Sequence, residues 1–393
     1  MLHLQKLLLF LSLPHRATTS TFFSFRHQCR FPITRFAATA AAASANPAPF
    51  AVEDYLVASC HLTPEQASKT SKVISHLKSP SKPDAVLAFL SGLGLSNADI
   101  AATVVYDPSL LCTKVDRTLA PRLAELSALG LSPSQIARLV LFDPTHFRLP
   151  TVVSKLQYYM PLFGSFEVLL QAIKSNAYLL SSSLENVVEP NVAILRECGF
   201  GACDIAKLCL SVPRLLTTNP ERVRAMVAHA EDIGVRRESR MFRYALHAVA
   251  FISKERITAK VEFLRETFRW SDAEVRIAVS RLPMVLRNSQ DRLRRMSEFL
   301  ISEVGLEPAY LAERPSMMTH SLECRLIPRL SVVKYLKANG LLGFDKSYYT
   351  AVKVNEKVFM EKYIRPYKKD APHLAEDYAA ACSGKVPSRF RLQ

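Results

Sequence analysis

The segment Val212-Pro213-Arg214-Leu215-Leu216 decides the fold of this 393-residue chain, because variants of it recur along the sequence. Related segments begin at Asp107, Leu282 and Arg314, and in each a proline is followed, after one residue, by an apolar pair. We call this segment the proline phrase; its prolines are Pro108, Pro144, Pro213, Pro283 and Pro315, and Ala177 and Val249 hold the same phase. Successive phrase positions lie 32 to 36 residues apart. A period of this length predicts an array of helical repeats.

Each repeat is predicted to contain two helices. Apolar residues three or four apart, such as Leu119, Leu123 and Leu126, indicate an amphipathic first helix. A glycine such as Gly130 is expected to end this helix, because glycine adopts positive φ without strain. The second helix must stop at the next proline phrase, since proline lacks an amide hydrogen and clashes with the preceding turn. The apolar pair after the proline then predicts a short buried turn.

Four of the second helices have a clear start signal. In each, a Ser or Thr is followed three residues later by an acidic or amide side chain, so that each side chain can bond the other residue's free backbone amide. The four signals are Thr63-Pro64-Glu65-Gln66, Ser96-Asn97-Ala98-Asp99, Ser132-Pro133-Ser134-Gln135 and Ser271-Asp272-Ala273-Glu274. They predict four capping boxes.

A second marker lies thirteen residues after each phrase position and is proline at Pro121, Pro190 and Pro328. The chain resembles the mitochondrial transcription termination factor family over roughly residues 52 to 370. The resemblance rests on the proline phrase, the marker thirteen residues after it, the glycine that ends the first helix and the repeat length taken together. The resemblance implies an all-α superhelical solenoid of about seven or eight repeats, each with two α-helices plus a short 3₁₀ turn. It also implies an organellar nucleic-acid-binding protein without catalytic residues. The departures are local: Pro144 is followed by Thr145-His146-Phe147, and two repeats lack the proline.

Three regions are predicted: an organellar transit peptide at residues 1–50, the repeat array at 51–340, and C-terminal capping helices with a polar tail at 341–393. The first region is rich in Ser, Thr and Arg and has no acidic residue before Glu53. Lys6 and the apolar run after it resemble a secretory signal, but the arginines continue beyond that run. The arginine content favours a mitochondrial location, with the chloroplast as the alternative.

Positive charge is concentrated in one part of the chain. The net charge is +16, and residues 207–295 carry 19 basic and 10 acidic side chains, whereas residues 53–206 carry 12 and 14. A nucleic-acid backbone is the partner that such a basic stretch predicts, and arginine offers phosphate a planar fork of donors. The candidate nucleic-acid-binding residues are Arg214, Arg222, Arg224, Arg236, Arg237, Arg240, Arg243, Arg256, Arg287, Arg292, Arg294 and Arg295.

Some of these arginines recur in phase. Arg222 and Arg292 lie nine residues after a phrase proline, and Arg224 and Arg294 lie eleven after, which predicts a ridge of stacked charge. The alternative for any single arginine is a solvated helix face with an intrahelical partner. Replacing Arg292, Arg294 and Arg295 together by Glu is expected to abolish nucleic-acid retention without unfolding the chain. The aromatic residues of this stretch are predicted to be core, with Trp270 and Tyr244 as the candidates for stacking on bases.

Other chemistry has no support in the sequence. The eight cysteines include no pair separated by two residues, and the histidines lie in different repeats without a metal-ligand or triad pattern. Phosphate-loop, dinucleotide-binding, zinc-protease and hydrolase motifs are missing. No run of eighteen uncharged apolar residues predicts a membrane span. We therefore expect no catalytic residue, metal or cofactor. We also expect a monomer whose partners are nucleic acid and organellar transcription or splicing proteins.

The expected function is control of organellar gene expression by binding. One mode is transcription termination or pausing on double-stranded DNA, and the other is RNA binding in intron splicing or transcript maturation. A protein-binding helical scaffold is an alternative of another class, but it would lack the concentration of arginine. A pentatricopeptide-like RNA reader shares the period but would lack the proline phrase.

Overall fold

The computed structural model describes residues 50–343, 347–385 and 387. The predicted transit peptide, except for Phe50, and the polar end at residues 388–393 lie outside the described residues. The described residues belong to one compact unit. Every regular element among them is helical, which confirms the predicted all-α class.

The chain forms consecutive helix pairs. The α-helices are α1 (Val52–Cys60), α2 (Pro64–Ile74), α3 (Ser81–Gly92), α4 (Asn97–Tyr106), α5 (Ala120–Ala128), α6 (Pro133–Phe142), α7 (Pro144–Arg148), α8 (Thr151–Phe163), α9 (Phe166–Ser175), α10 (Tyr178–Ser181), α11 (Glu189–Glu197), α12 (Ala202–Ser211), α13 (Pro220–Asp232), α14 (Phe242–Val249), α15 (Lys254–Phe268), α16 (Asp272–Arg281), α17 (Gln290–Ser297), α18 (Pro308–Glu313), α19 (Ile327–Ala338), α20 (Tyr348–Lys353), α21 (Glu356–Phe359) and α22 (Leu374–Cys382). From α3 to α20, first and second helices alternate, and the short α7 and α10 follow two of the pairs. This arrangement is the predicted helical-repeat solenoid.

Shorter helical segments connect the pairs. The 3₁₀ segments are Pro108–Cys112, Leu215–Thr217, Pro283–Arg287, Pro315–Thr319 and Arg365–Tyr367, and the π-helical turns are Val115–Leu119, Leu184–Val188, Glu298–Glu303, Leu322–Leu326 and Met360–Ile364. Three of the π turns end two residues before the second-marker prolines Pro121, Pro190 and Pro328. Because Pro121 has no amide hydrogen, the regular ladder is interrupted there, and the Ala120 amide instead bonds the Val115 carbonyl five residues back. The marker therefore sets the start of the first helix.

All four predicted capping boxes are confirmed, at the starts of α2, α4, α6 and α16. At α16, the Glu274 amide donates to Ser271 Oγ at 3.3 Å, and the Ser271 amide donates to Glu274 Oε2 at 2.7 Å. Both partners lie within one helical turn. Local sequence is therefore sufficient to determine these helix starts.

Replacing Ser271 by Ala should lower the free energy of unfolding by about 1 kcal/mol, because the Glu274 amide loses its acceptor at the helix start. Urea unfolding followed by circular dichroism measures this change. Ser302→Ala is the matched control, since Ser302 is exposed and its side chain makes no hydrogen bond in the described structure. An equal loss of stability in both variants would contradict a capping role for Ser271.

The glycine between the two helices of a repeat has positive φ, as predicted. Gly130 has a φ of +86°, and Gly94, Gly199, Gly234 and Gly305 behave likewise. In the repeat formed by α15 and α16, Arg269 takes this position with a φ of +55°, a conformation that usually costs a residue with a Cβ atom about 1–3 kcal/mol. Packing holds it there. The adjacent Trp270 stacks on Phe268 at 4.6 Å, and its Nε1 donates to the Pro308 carbonyl at 2.8 Å.

The apolar pair that follows every phrase proline except Pro144 is buried, as predicted; the pairs are Leu110-Leu111, Leu215-Leu216, Val285-Leu286 and Met317-Met318. The prediction of a 3₁₀ turn in every repeat is wrong in three places. Pro144–Arg148 is an α-helical turn, because Asp143 caps it by accepting from the His146 amide at 3.1 Å. Tyr178–Ser181 is also α-helical.

The third exception is the repeat whose phrase position is Val249. No proline stops α14 here, so the helix continues to Val249, and no short helix follows. The chain instead turns at Phe251, which has a φ of +59° and is half-buried. The guanidinium groups of Arg214 and Arg222 lie 6.0 and 5.3 Å from the centre of the Phe251 ring. Cation–π attraction of this kind stabilises the irregular turn.

Donors from first helices join several repeats to the next one. The last carbonyl oxygens of a short helix lack partners within it. Asn191 Nδ2 donates to the carbonyls of Leu216 and Thr218 at 3.0 and 2.7 Å, and Lys155 Nζ donates to the Leu180 carbonyl. Burial lowers the pKa of Lys155, which nevertheless satisfies an otherwise unpaired carbonyl. These bonds hold the ends of two phrase segments, Tyr178–Ser181 and Leu215–Thr217, against the first helices that precede them.

The C-terminal helices α20 to α22 pack on α19 around a second apolar core. Phe359, Tyr363, Leu374 and Tyr378 are buried there against Leu336. The predicted capping helices thus include a core of their own. None of the helices in the described parts of the chain is long and apolar enough to cross a bilayer.

Candidate nucleic-acid interface

Two neighbouring second helices bring basic side chains together. Lys207 on α12 and Arg243 on α14 each lie six residues before a phrase position, so they occupy equivalent places in adjacent repeats. Both line one open cavity, together with Tyr244 and His247. Equivalent positions in consecutive repeats therefore form a continuous surface.

Two adjoining cavities of about 430 and 270 Å³ share Arg243 and Tyr244. The larger is also lined by Arg237 and Arg240, and the smaller by Lys207 and His247. We call the surface formed by Lys207, Arg237, Arg240, Arg243, Tyr244 and His247 the basic groove. It is an open concave surface whose four cations outnumber the two carboxylates, Asp204 and Glu238, that also line the larger cavity.

Carboxylates orient two of the groove arginines. Arg243 Nη1 donates to Asp204 Oδ1 at 3.0 Å, and Arg237 pairs with both oxygens of Glu231 at 2.6 and 3.0 Å. Lys207 and Arg240 are exposed, and neither has a carboxylate partner among the described residues. The paired arginines are therefore held in place, while the unpaired cations leave positive charge available for an anionic ligand.

Tyr244 is the aromatic residue that the groove exposes. Its side chain is 40% exposed, the Arg243 guanidinium lies 5.0 Å from the ring centre, and Arg243 Nη2 donates to its hydroxyl at 3.1 Å. An exposed ring held beside a guanidinium presents a flat surface suited to stacking.

The other rings of this stretch are mostly core. Phe242, Phe268 and Trp270 are buried, which confirms the predicted core role for these three. Trp270 is therefore excluded as a platform for bases, because its ring already stacks on Phe268 and its Nε1 donates to a carbonyl. Of the two stacking candidates, Tyr244 remains.

His247 borders the groove as a neutral group. Burial and, second, the nearby Arg287 guanidinium lower the pKa of His247 below its ordinary value. Arg287 Nη1 also donates to the His247 carbonyl at 3.4 Å. Arg287 therefore extends the cationic surface from α14 to the 3₁₀ helix Pro283–Arg287.

Acidification should strengthen phosphate binding through His247. Because its pKa lies below the ordinary 6.5, the imidazole gains charge only as the pH falls below that value. Between pH 7.5 and 5.0 we expect the contribution of His247 to be up to about fivefold in affinity, the equivalent of ~1 kcal/mol for a charge pair at 4 Å in water. Fluorescence anisotropy at constant ionic strength measures it. His247→Asn should remove this gain, and a pH profile unchanged in that variant would exclude His247.

The arginines nine residues after the phrase lie at junctions between repeats. Arg292 is half-buried, and its Nη2 donates to the carbonyls of Met318 and His320 at 3.2 and 2.9 Å. Arg222 similarly contacts Phe251 in the next repeat. Their shared phase thus corresponds to a shared packing role. Exchanging Arg292 for Glu would disturb a junction as well as remove charge, so a charge test is sharper when Arg292 is kept.

The remaining predicted arginines occupy several separate environments. Arg224 pairs with Glu221 of its own helix, and Arg295 pairs with Glu323. Arg294 lies 5.0 Å from the Phe263 ring centre and lines a cavity of about 550 Å³ that also contains Glu266 and Glu298. Arg236 and Arg256 are exposed without a side-chain partner among the described residues. The structure therefore brings Arg237, Arg240, Arg243 and Arg287 together, and no described side-chain bond joins the others to them.

Sequence reasoning missed Lys207. Its signal was present, since Lys207 and Arg243 have the same phase relative to Pro213 and Val249. The predicted ridge used positions after the phrase, whereas the groove is built from positions before it. Counting in both directions would have identified Lys207.

Comparison with known proteins agrees with the repeat architecture. The mTERF family model matches residues 76–360. Among curated proteins, the chain is 24% identical over 162 residues to transcription termination factor MTERF8, chloroplastic, of Arabidopsis thaliana, covering 41% of this chain and 32% of that protein. It is 31% identical over 85 residues to transcription termination factor MTERF15, mitochondrial, of the same plant, covering 22% and 19%.

These alignments span about a third or less of each relative's length. The family match is broader, since it includes most of the helix pairs and every phrase proline from Pro108 to Pro315. Over most of its length, this chain belongs to the mTERF family.

Proposed function

We propose that this protein binds nucleic acid in a plant organelle and regulates gene expression there, by terminating or pausing transcription on double-stranded DNA. The observation that carries the proposal is the basic groove. Its unpaired cations, Lys207 and Arg240, neutralise backbone phosphates and release condensed counterions. The relatives that it matches are named as chloroplastic and mitochondrial transcription termination factors.

The mechanism is binding and steric control. Arg237 and Arg243 are oriented in advance by Glu231 and Asp204, so little side-chain entropy is lost when they contact a phosphate. A protein held on the duplex in this way obstructs an advancing polymerase. This activity requires no catalytic residue, metal or cofactor.

RNA binding in intron splicing or transcript maturation is the second candidate, and Tyr244 favours it. A duplex hides the faces of its bases, whereas an unpaired base can stack on an exposed ring. Tyr244 is 40% exposed, with the Arg243 guanidinium over its ring. Single-stranded RNA therefore uses a feature of the groove that duplex DNA does not need.

Salt dependence of binding tests both candidates. Anisotropy of a labelled duplex and of a single-stranded RNA of matching sequence should show an affinity that falls with salt, by about 0.9 and 0.7 log units per log unit of salt for each phosphate neutralised. Tighter binding of the duplex favours transcription termination, and tighter binding of the single-stranded RNA favours splicing or transcript maturation. A flat response on both substrates would instead support a protein-binding scaffold.

Crosslinking and sequencing the nucleic acid bound in isolated organelles tests the biological role. Recovery of promoter-distal DNA supports termination, and recovery of intron RNA alone would refute it. A reporter fused to residues 1–50 tests the proposed mitochondrial import, with accumulation in the chloroplast as the contrary result. The composition of that region and its arginines favour the mitochondrion.

A further inference from the structure

A separate cavity of about 260 Å³ lies between α13, α15 and α16. Its apolar lining comes from Ile233, Ile257, Val261, Val275 and Val279, of which all but Val261 are buried. None of its lining residues belongs to the basic groove. The cavity is therefore a feature that the proposed nucleic-acid binding does not use.

The position of the cavity coincides with the irregular repeat. First helices of neighbouring repeats pack directly on each other at α11–α13 and at α15–α17. Between α13 and α15 the cavity opens, at the point where the chain turns at Phe251 without a short helix. The array is thus incompletely filled at this junction.

The charged groups around the cavity are unequally paired. Asp232 pairs with Lys254 at 3.4 Å, and Asp272 pairs with Arg265 at 3.5 Å. Arg276 is exposed and has no partner among the described residues. Both carboxylates therefore have a cation, while one guanidinium remains free to meet an anion.

His229 also lines the cavity, but its unpaired ring nitrogen is not exposed there. His229 Nδ1 is shielded from solvent and makes no hydrogen bond in the described structure. Recognition at the cavity therefore rests on its apolar wall and on Arg276.

We infer that this cavity binds a small amphipathic carboxylate. At about 30 Å³ per water molecule, its volume corresponds to roughly nine waters, which matches an apolar body of about eight or nine heavy atoms. Burial of that body against the isoleucines and valines supplies affinity. Arg276 receives the carboxylate through a charge-assisted pair. The bound molecule fills the gap between α13 and α15 and stabilises the junction.

Isothermal titration with three probes of equal chain length tests the site on the full chain without nucleic acid. Octanoate should bind with a dissociation constant of ~0.1–1 mM and raise the melting temperature. Octanol should bind more weakly, and octylamine most weakly, because Arg276 repels it. Equal affinity for octanoate and octylamine would overturn the proposal, as would no binding of octanoate up to ~10 mM.

Variants separate the two parts of the site. Arg276→Ala should weaken octanoate binding about tenfold or more and leave octanol binding nearly unchanged, because only the carboxylate uses the guanidinium. Thr258→Trp places a large side chain at the exposed mouth of the cavity and should abolish binding of both. Arg117→Ala removes an exposed arginine far along the sequence and should change neither. Octanoate affinity that survives both cavity variants would refute the assignment.

Discussion

Replacing Arg329 by Ala is expected to detach the C-terminal helices from the array and to cost about 3–5 kcal/mol of unfolding free energy. Arg329 is fully buried. Its guanidinium donates to the carbonyls of Ala351 and Val354 at 2.9 and 2.7 Å and to Glu356 Oε2 at 2.7 Å. It also lies 4.3 Å from the centre of the Phe359 ring.

The cost is large because several groups lose their partner together. The Ala351 carbonyl would be left without its donor at a buried junction, the Val354 carbonyl would keep only Arg325 Nη2, and Phe359 would lose the planar group beside it. Each unsatisfied buried polar group costs about 1–3 kcal/mol. The affected residues all lie in α20, in α21 or between them, so the destabilisation is concentrated where the C-terminal helices join α19.

Urea unfolding and hydrogen exchange over residues 348–382 measure the effect, since local detachment increases exchange there before global unfolding. Arg365→Ala is the matched control from the same segment. Its side chain is 71% exposed and reaches Glu361 only at 3.9 Å, so its removal should cost less than about 0.5 kcal/mol. An Arg329→Ala variant as stable as this control would show that the buried bonds contribute nothing net.

A second large effect is expected when three charges of the basic groove and its Arg287 extension are reversed. The combined variant Lys207→Glu, Arg240→Glu and Arg287→Glu should bind nucleic acid about 100-fold or more weakly at ~150 mM salt. All three side chains are exposed, and none has a carboxylate partner among the described residues. Removal of each phosphate interaction should reduce the magnitude of the salt slope by about 0.7–0.9. The variant removes one described side-chain hydrogen bond, the 3.4 Å bond from Arg287 Nη1 to the His247 carbonyl. The fold should persist, because Arg237, Arg243 and Arg292 keep their bonds.

A matched variant distinguishes binding at the basic groove from binding that depends only on the total charge of the protein. Lys72, Lys78 and Lys82 are exposed lysines near the start of the array, and their joint exchange for Glu changes the total charge equally. This variant should reduce affinity by less than about threefold, since exposed charges beyond a Debye length are largely screened. Equal reductions in the two variants would mean that binding depends on total charge and that the groove is not the site.

Much of the fold was predictable because its signals are local. A capping box needs two side chains three residues apart, as at Ser132 and Gln135, and each phrase proline stops the helix before it through its own missing amide hydrogen. The glycine at position 130 ends α5 because backbone freedom at one residue is sufficient. Because these signals recur in each repeat, the positions of α3 to α18 follow from counting residues from each proline phrase.

The groove was only partly predictable. Charge counting located the stretch that contains it and named Arg240 and Arg243, but it could not separate exposed cations from those used in packing. Arg292 and Arg240 look alike in sequence, yet one bonds two carbonyls of the next repeat and the other is exposed without a partner among the described residues. The difference depends on which residues a neighbouring repeat supplies, and these lie about one repeat length away along the chain.

The sequence by itself determined the period, most helix boundaries, the caps and the family, since each depends on contacts within a turn or on recurrence along the chain. Only the tertiary structure decided which cations remain free, why the turn at Phe251 replaces a short helix, and where the junction between α13 and α15 stays open. Those properties arise from side chains of different repeats competing for the same carbonyls, rings and space. The proline phrase determines where the second helix of a repeat ends. Packing between repeats determines which side chains on the protein surface remain free to bind a ligand.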